Sequence, residues 1–136
     1  GSVWSWGWGG FGRLGHGDMQ NQLLPKKVEA LSGQRVVAVS AGGSHNLTIT
    51  ADGAVWSWGG AGLGKLGHGG DQRIRPLPKK IEALAGQRVV AVSAGRDHSL
   101  ALTADGALWS WGRGAAGRLG HGDGQGQRQP KKVEAL

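Results

Sequence analysis

The chain has no cysteine, which excludes disulfides, thiolate metal sites and a cysteine nucleophile. It has no tyrosine and only one phenylalanine, so its aromatic packing must come from seven tryptophans. It has four prolines, and its glycines do not fall at every third residue, so a collagen helix is excluded. No apolar run approaches about 18 residues, and nothing is long enough to cross a bilayer as a helix. No cleavable signal pattern stands at the N-terminus. The lack of cysteine and of a signal favours an intracellular setting. Gly1-Ser2 reads as a remnant of tag removal, so native targeting information is expected to be missing.

What is present is 28 glycines in 136 residues, and 16 Lys and Arg against 9 Asp and Glu, a net charge of +7. The length fits one domain. The tryptophans and valines argue against a disordered chain. Three phrases repeat. Val3-Trp4-Ser5-Trp6-Gly7 returns at Val55 and, as Leu-Trp-Ser-Trp-Gly, at Leu108. Leu14-Gly15-His16-Gly17 returns at Leu66 and Leu119, and Pro25-Lys26-Lys27 at Pro78 and Pro130. Residues 33–42 and 86–95 are identical. Copies this alike suggest recent duplication or consensus design. The units are 3–54, 55–107 and a partial 108–136.

Each unit predicts β-structure. Arg35–Ser40 is short and β-branched, as a buried strand is. His45–Thr50 alternates polar and apolar. Asp52-Gly53 and Asp105-Gly106 are hairpin signals, since Gly accepts positive φ. Ala54–Trp58 predicts a third strand with Trp56 and Trp58 on one face. A Gly-rich loop of about ten residues follows, and Pro78–Leu84 predicts a fourth strand, with Pro at its start where a ladder donor can be spared. The Glu-Ala-Leu triplets are too short for a helix. Four antiparallel strands in about 50 residues, repeated, predict an all-β fold of β-propeller blades. Divided by strand, the chain holds about two and a half blades over residues 3–136, an incomplete ring unless assembled. Such a piece is expected to self-associate, to exchange strands or to come from a longer parent. The exposed apolar face at each end motivates that expectation.

The phrases W-S-W-G, R-L-G-H-G-D, P-K-K-V-E-A-L and V-V-A-V-S-A-G-x-x-H-S-L-A-L-T-A-D-G-A together resemble the repeat of the regulator of chromosome condensation family, from Val3 to Leu136. Asn46 stands where the family usually has a small or aliphatic residue. The resemblance implies a propeller, usually of seven blades. Members include a nuclear guanine-nucleotide exchange factor that docks on nucleosomes, domains of large ubiquitin ligases and a plant ultraviolet-B photoreceptor. The photoreceptor's sensing tryptophans lie in Gly-Trp-Arg-His-Thr phrases. The matching phrases here, Gly42–Asn46 and Gly95–Ser99, have no tryptophan, so the resemblance does not carry photoreception to this chain. It does not carry exchange activity either, since that needs a closed ring and an inserted wedge.

No catalytic, cofactor or metal site is assigned. Gly7–Gly12 and Gly112–Gly117 match G-x-G-x-x-G, but a turn sequence follows each where a dinucleotide site needs a helix. Trp4, Trp6, Trp56, Trp58, Trp109 and Trp111 are expected to pack the blades. His16, His68, His121, His45 and His98 recur once per unit, and recurrence across blades separates residues that a metal would need together. Their rings are expected to bond loops or neighbouring strands. Asp18 and Asp123 are read as turn-stabilising partners. Asn46-Leu47-Thr48 fits a glycosylation pattern but falls within a predicted strand. The basic residues share phases: Lys26, Lys27, Lys79, Lys80, Lys131 and Lys132 in one, Arg13, Lys65 and Arg118 in another. They are expected to form arcs, either a solubilising rim or a surface for an acidic protein or nucleic acid. The partner expected first is a second copy, with no membrane role. A basic chromatin- or DNA-associating module is the alternative, or else a fragment of a protein like the ultraviolet-B photoreceptor or the guanine-nucleotide exchange factor.

Overall fold

A computed structural model describes residues 1–70 and 73–136. Ten strands are formed: β1 Trp4–Gly7, β2 Gln22–Lys27, β3 Val36–Ala41, β4 His45–Thr50, β5 Val55–Gly59, β6 Arg75–Lys80, β7 Val89–Ala94, β8 His98–Thr103, β9 Leu108–Gly112 and β10 Gln127–Lys132. All pairings are antiparallel between sequence neighbours. They make two four-stranded blades, β3–β6 and β7–β10, and a two-stranded half blade, β1–β2. This is a partial β-propeller of about two and a half blades. Among the described residues the helical elements are single 3-10 turns and none is an α-helix.

The hairpins form where Asp-Gly places them. Thr50 Oγ1 donates to Asp52 Oδ1 at 2.6 Å, and the same oxygen accepts the Ala54 N–H at 3.2 Å. These two donors hold the exposed Asp52 carboxyl below its usual range, with Thr50 first. Thr103, Asp105 and Ala107 repeat the turn, with the same effect on Asp105.

The fourth strand corrects the expectation. It lies at Arg75–Lys80 rather than Pro78–Leu84, because Glu82–Leu84 closes into a 3-10 turn that buries Leu84. Ile81 gives the last ladder bond, to Val55 O at 2.8 Å. Pro78 is tolerated inside β6 because the pairing with β5 is irregular there and β6 is the outermost strand of its sheet.

Glycine is obligatory where each third strand meets its loop. Gly59 has φ +107°, and a Cβ would lie 2.4 Å from Ser44 O. A side chain is nevertheless carried at positive φ one turn later, by Phe11, Leu63 and Ala116 at equivalent positions (φ 60°, 65° and 62°).

The core lies between blades. Leu47, Ile49, Val55, Ile81 and Leu84 of one blade meet Val89, Ala101 and Trp111 of the next. A smaller cluster repeats this at the half blade, with Val28, Leu31 and Trp58 buried and Val3, Val36 and Trp56 beside them. Aligned by repeat, Val55, Ile81, Leu84, Val89, Trp109 and Trp111 have their counterparts in the smaller cluster, whereas Leu47 and Ile49 have none and Ala101 is replaced by Thr48.

The tryptophans expected to pack the blades therefore diverge. Trp111 is 0% exposed and Trp58 2%, Trp56 and Trp109 are half-buried, while Trp4 and Trp6 are 53% and 60% exposed because no strand covers β1 on its free side. Trp6, Trp58 and Trp111 are one repeat position, so their substitutions separate context from chemistry. Trp111→Ala is expected to cost about 3–5 kcal/mol and Trp6→Ala about 1 kcal/mol or less, measured by urea denaturation.

Candidate protein-binding site

The seam between the two complete blades is built on one carbonyl. Lys65 O accepts the Trp111 indole N–H at 2.9 Å and the Ser99 hydroxyl at 2.8 Å. Ser99 Oγ also lies 2.9 Å from His45 Nε2. The hydroxyl has one proton, and it goes to the carbonyl, which cannot donate. His45 must therefore carry its proton on Nε2 and donate to Ser99. A further bond crosses the seam, from Ala94 N–H to Ser40 Oγ at 3.0 Å. At the half-blade seam the carbonyl is that of Arg13, which accepts from Trp58 Nε1 at 3.1 Å and from Asn46 Nδ2 at 2.5 Å. Asn46, the odd residue of its phrase, thus does half of what Ser99 does and keeps its own carbonyl oxygen as a spare acceptor.

A second arrangement pins each Gly-rich loop to its own blade. Ser57 Oγ donates to Leu66 O at 2.7 Å and lies 2.9 Å from His68 Nε2. Ser5 and His16 repeat this on Leu14 O, and Ser110 and His121 on Leu119 O. The same proton count makes each histidine the donor. His98 Nδ1 is buried without a partner.

Burial lowers the pKa of two of these rings, His45 and His16. His45 is 1% exposed and its Nδ1 has no partner, so a second proton would be a buried, unpaired charge. Desolvation first, then Lys65, lowers its pKa to about 4. The more open His16 is lowered by burial and then by Lys26. Among the described residues no three His, Asp or Glu side chains gather as a metal would require.

The expected basic arcs are only partly on the surface. Lys65 is 6% exposed, with Nζ 3.5 Å from Asp97, which also meets Arg113 at 3.6 Å; it is a correction to the arc. Arg13 stacks over Trp8 at 4.1 Å and donates to Gly43 O at 3.1 Å. Arg118 is exposed. The lysine pairs do align: Lys26, Lys79 and Lys131 lie opposite Ser5, Ser57 and Ser110, and Lys27, Lys80 and Lys132 opposite Trp4, Trp56 and Trp109, all on outermost strands. Each G-x-G-x-x-G stretch enters one 3-10 turn, at Gly10–Gly12 and Ala115–Gly117.

An apolar opening lies where the half blade faces the first full blade. A groove of about 370 Å³ runs between β1 and β3, lined by Trp4, Trp6, Trp8, Val39, Asn46 and Trp58 among others. Trp8 is 59% exposed and Val39 62%. The sequence reasoning missed Ser99, Asn46 and Asp97 as seam residues, and the serines of W-S-W as the residues that pin the loops. For the W-S-W serines the signal was available, because the serine between two tryptophans recurs unchanged in all three units.

A family model described as the regulator of chromosome condensation (RCC1) repeat matches residues 1–49, 52–102 and 105–136. A second model of that description matches 36–64 and 89–118. The human E3 ubiquitin-protein ligase HERC2 is 47% identical over 138 residues, covering 100% of this chain and 3% of that protein. The ultraviolet-B receptor UVR8 of Arabidopsis thaliana is 44% identical over 131 residues, covering 96% of this chain and 30% of the receptor. Among solved structures, human WBSCR16 superposes with a TM-score of 0.88 at 26% identity, over 98% of this chain and 33% of that one. Prp20p of Saccharomyces cerevisiae also gives 0.88, at 25% identity, over 98% and 34%. The chain thus spans about a third or less of each of these relatives.

The His45 environment has a pH consequence. Its folded pKa of about 4 lies below the ordinary 6.5, so between those values the unfolded chain binds a proton that the folded chain does not. Stability is therefore expected to fall as pH drops from about 6.5 to 4, by about 3 kcal/mol from this residue. Urea denaturation across that range checks it, and the part due to His45 should vanish in His45→Gln.

Proposed function

The chain belongs to the regulator of chromosome condensation (RCC1) repeat family, and on that footing we propose that it is a non-enzymatic propeller scaffold that binds protein and associates with itself. The observation that carries this is the half-built seam. Trp4, Trp6 and Trp8 stand half-exposed around a groove beside the free edge of β1, while the same repeat positions one seam further on are closed. A strand edge with large aromatic side chains recruits another chain by backbone pairing and burial. The solved structure of Prp20p is described with binding properties to Gsp1p and histones, which supports reading this kind of fold as a surface for proteins. The histidines and serines serve the seams and loops, and no nucleophile–base pair is free for chemistry among the described residues.

The aligned lysine pairs favour a second reading, an acidic partner on the outer rim. Six lysines stand at matching positions on three outermost strands, a pair on each. Nucleic acid held there should be lost steeply as salt rises. Binding to duplex DNA at low salt that falls sharply by 200 mM, and is lost on replacing the six lysines by glutamine, would favour it.

For the leading reading, sedimentation velocity at micromolar concentration is expected to give a mass that is a multiple of 14.0 kDa. A stable compact monomer would overturn self-association.

A further inference from the structure

The loop tip at Leu63 carries two unfavourable features at once. Among the described residues sixteen glycines take positive φ, the conformation glycine adopts freely, yet Leu63 holds φ 65° with its side chain 51% exposed. A branched side chain there bears backbone strain and leaves apolar surface in water. Both blades that flank this tip are complete, so its exposure does not come from an open seam. At the equivalent Phe11 the ring leans on its own loop, with Trp8 edge-on at 6.1 Å and the Arg13 guanidinium 5.7 Å from its centre. Leu63 has Gly60 where Phe11 has Trp8, so its own loop offers no ring to cover it.

What Leu63 shares a groove with is the loop of the next blade. The groove, about 460 Å³, lies between Leu63 and the segment that starts at Arg113, with Ala115, Arg128 and the bare main chain of Gly114 and Gly126 along it. None of the described residues lining it is acidic. Arg113 is 47% exposed, and its guanidinium makes no hydrogen bond among the described residues. Its ion pair with Asp97 is 3.6 Å long, beyond hydrogen-bond length, and the same carboxylate lies 3.5 Å from Lys65. One acid thus serves two cations, and Arg113 keeps donors for a second carboxylate. Asp123, two residues before Gln125, spends its Oδ1 on the Gln125 N–H at 3.1 Å.

We propose that this groove binds a short extended segment of a partner protein in which an aliphatic or aromatic side chain stands within two residues of an Asp or Glu. The apolar side chain covers Leu63 and Ala115, and the carboxylate takes the remaining donors of Arg113. The glycines let the segment's main chain lie close to the loop. The proposal rests on reading the chain as a protein-binding scaffold, and names one site and one ligand class for it. The combination is particular to this pair of loops. One unit earlier the tip is Phe11 and the position of Arg113 is held by Gly60, which has no cation to offer.

The test uses the full chain as bait for a phage-displayed library of random dodecapeptides. Enriched peptides are expected to carry an apolar residue within two positions of Asp or Glu. Made synthetically and followed by fluorescence anisotropy, they should bind Leu63→Gly and Arg113→Gln at least about tenfold more weakly than the parent chain. Leu63→Gly suits the left-handed backbone and is expected to keep the fold, which a thermal melt verifies. Arg35→Gln removes the same charge from an exposed site outside the groove and should bind as the parent does. Three outcomes overturn the groove: no enriched peptide, enrichment without the apolar–acidic pair, or peptides that bind Leu63→Gly as tightly as the parent. Peptides weakened by Arg113→Gln alone and displaced by duplex DNA mark a site for charge only, and also overturn it. The two readings fail differently. Peptides indifferent to both substitutions keep the scaffold as a protein binder and remove this site. No peptide enriched, together with a monomeric mass in sedimentation, removes both.

Discussion

The architecture depends on a single backbone oxygen per seam. A propeller blade has no reason of its own to meet its neighbour at a fixed height, because aliphatic contact is nearly indifferent to small slides. The carbonyl of Lys65 removes that freedom. It receives an indole N–H and a hydroxyl from the next blade, both buried, and each would be costly to leave unmade. The histidine of the preceding strand then completes the hydroxyl's bonding from its own side. Blade height, loop position and strand order are set together by groups that no solvent can replace.

Around this anchor the apolar cluster supplies most of the attraction and the polar bonds most of the definition. The ion pair of Lys65 with Asp97 has the same address, so the loop that provides the carbonyl is also held by its side chain. At the half-blade seam the equivalent basic residue, Arg13, has Ser44 where Asp97 would be, and it lies instead on Trp8 and Phe11. Replacing an acid by a pair of rings keeps the cation in place while turning its surroundings apolar. That exchange is part of why the surface at the open end of the molecule is apolar.

Much of this was legible before any coordinates. The three repeated phrases, the Asp-Gly turns and the β-branched runs sufficed for ten antiparallel strands in two and a half blades. The fourth strand was displaced because Pro-Lys-Lys and Glu-Ala-Leu look continuous in sequence, whereas the chain turns at Ile81 to bury Leu84. Lys65 was read as surface from its charge, since its acid partner lies 32 residues on and no local pattern joins them. Trp4 and Trp6 share a motif with buried tryptophans, yet exposure is decided by a neighbouring strand, which a motif does not contain. The roles of Ser99 and Asn46 were hidden for the same reason: a hydrogen bond between blades has no short-range signature.

The left-handed residue at the tip of each Gly-rich loop has one more implication. Phe11, Leu63 and Ala116 share a left-handed backbone shape that is unfavourable for each of them, so it does not account for the choice among them. The flanking phrases stay nearly constant while this spot carries an aromatic ring, a branched aliphatic chain and a bare methyl. It is a variable address on an otherwise invariant frame. Diversity can accumulate there without disturbing the blades, giving successive loops of the ring different chemical textures on one rim.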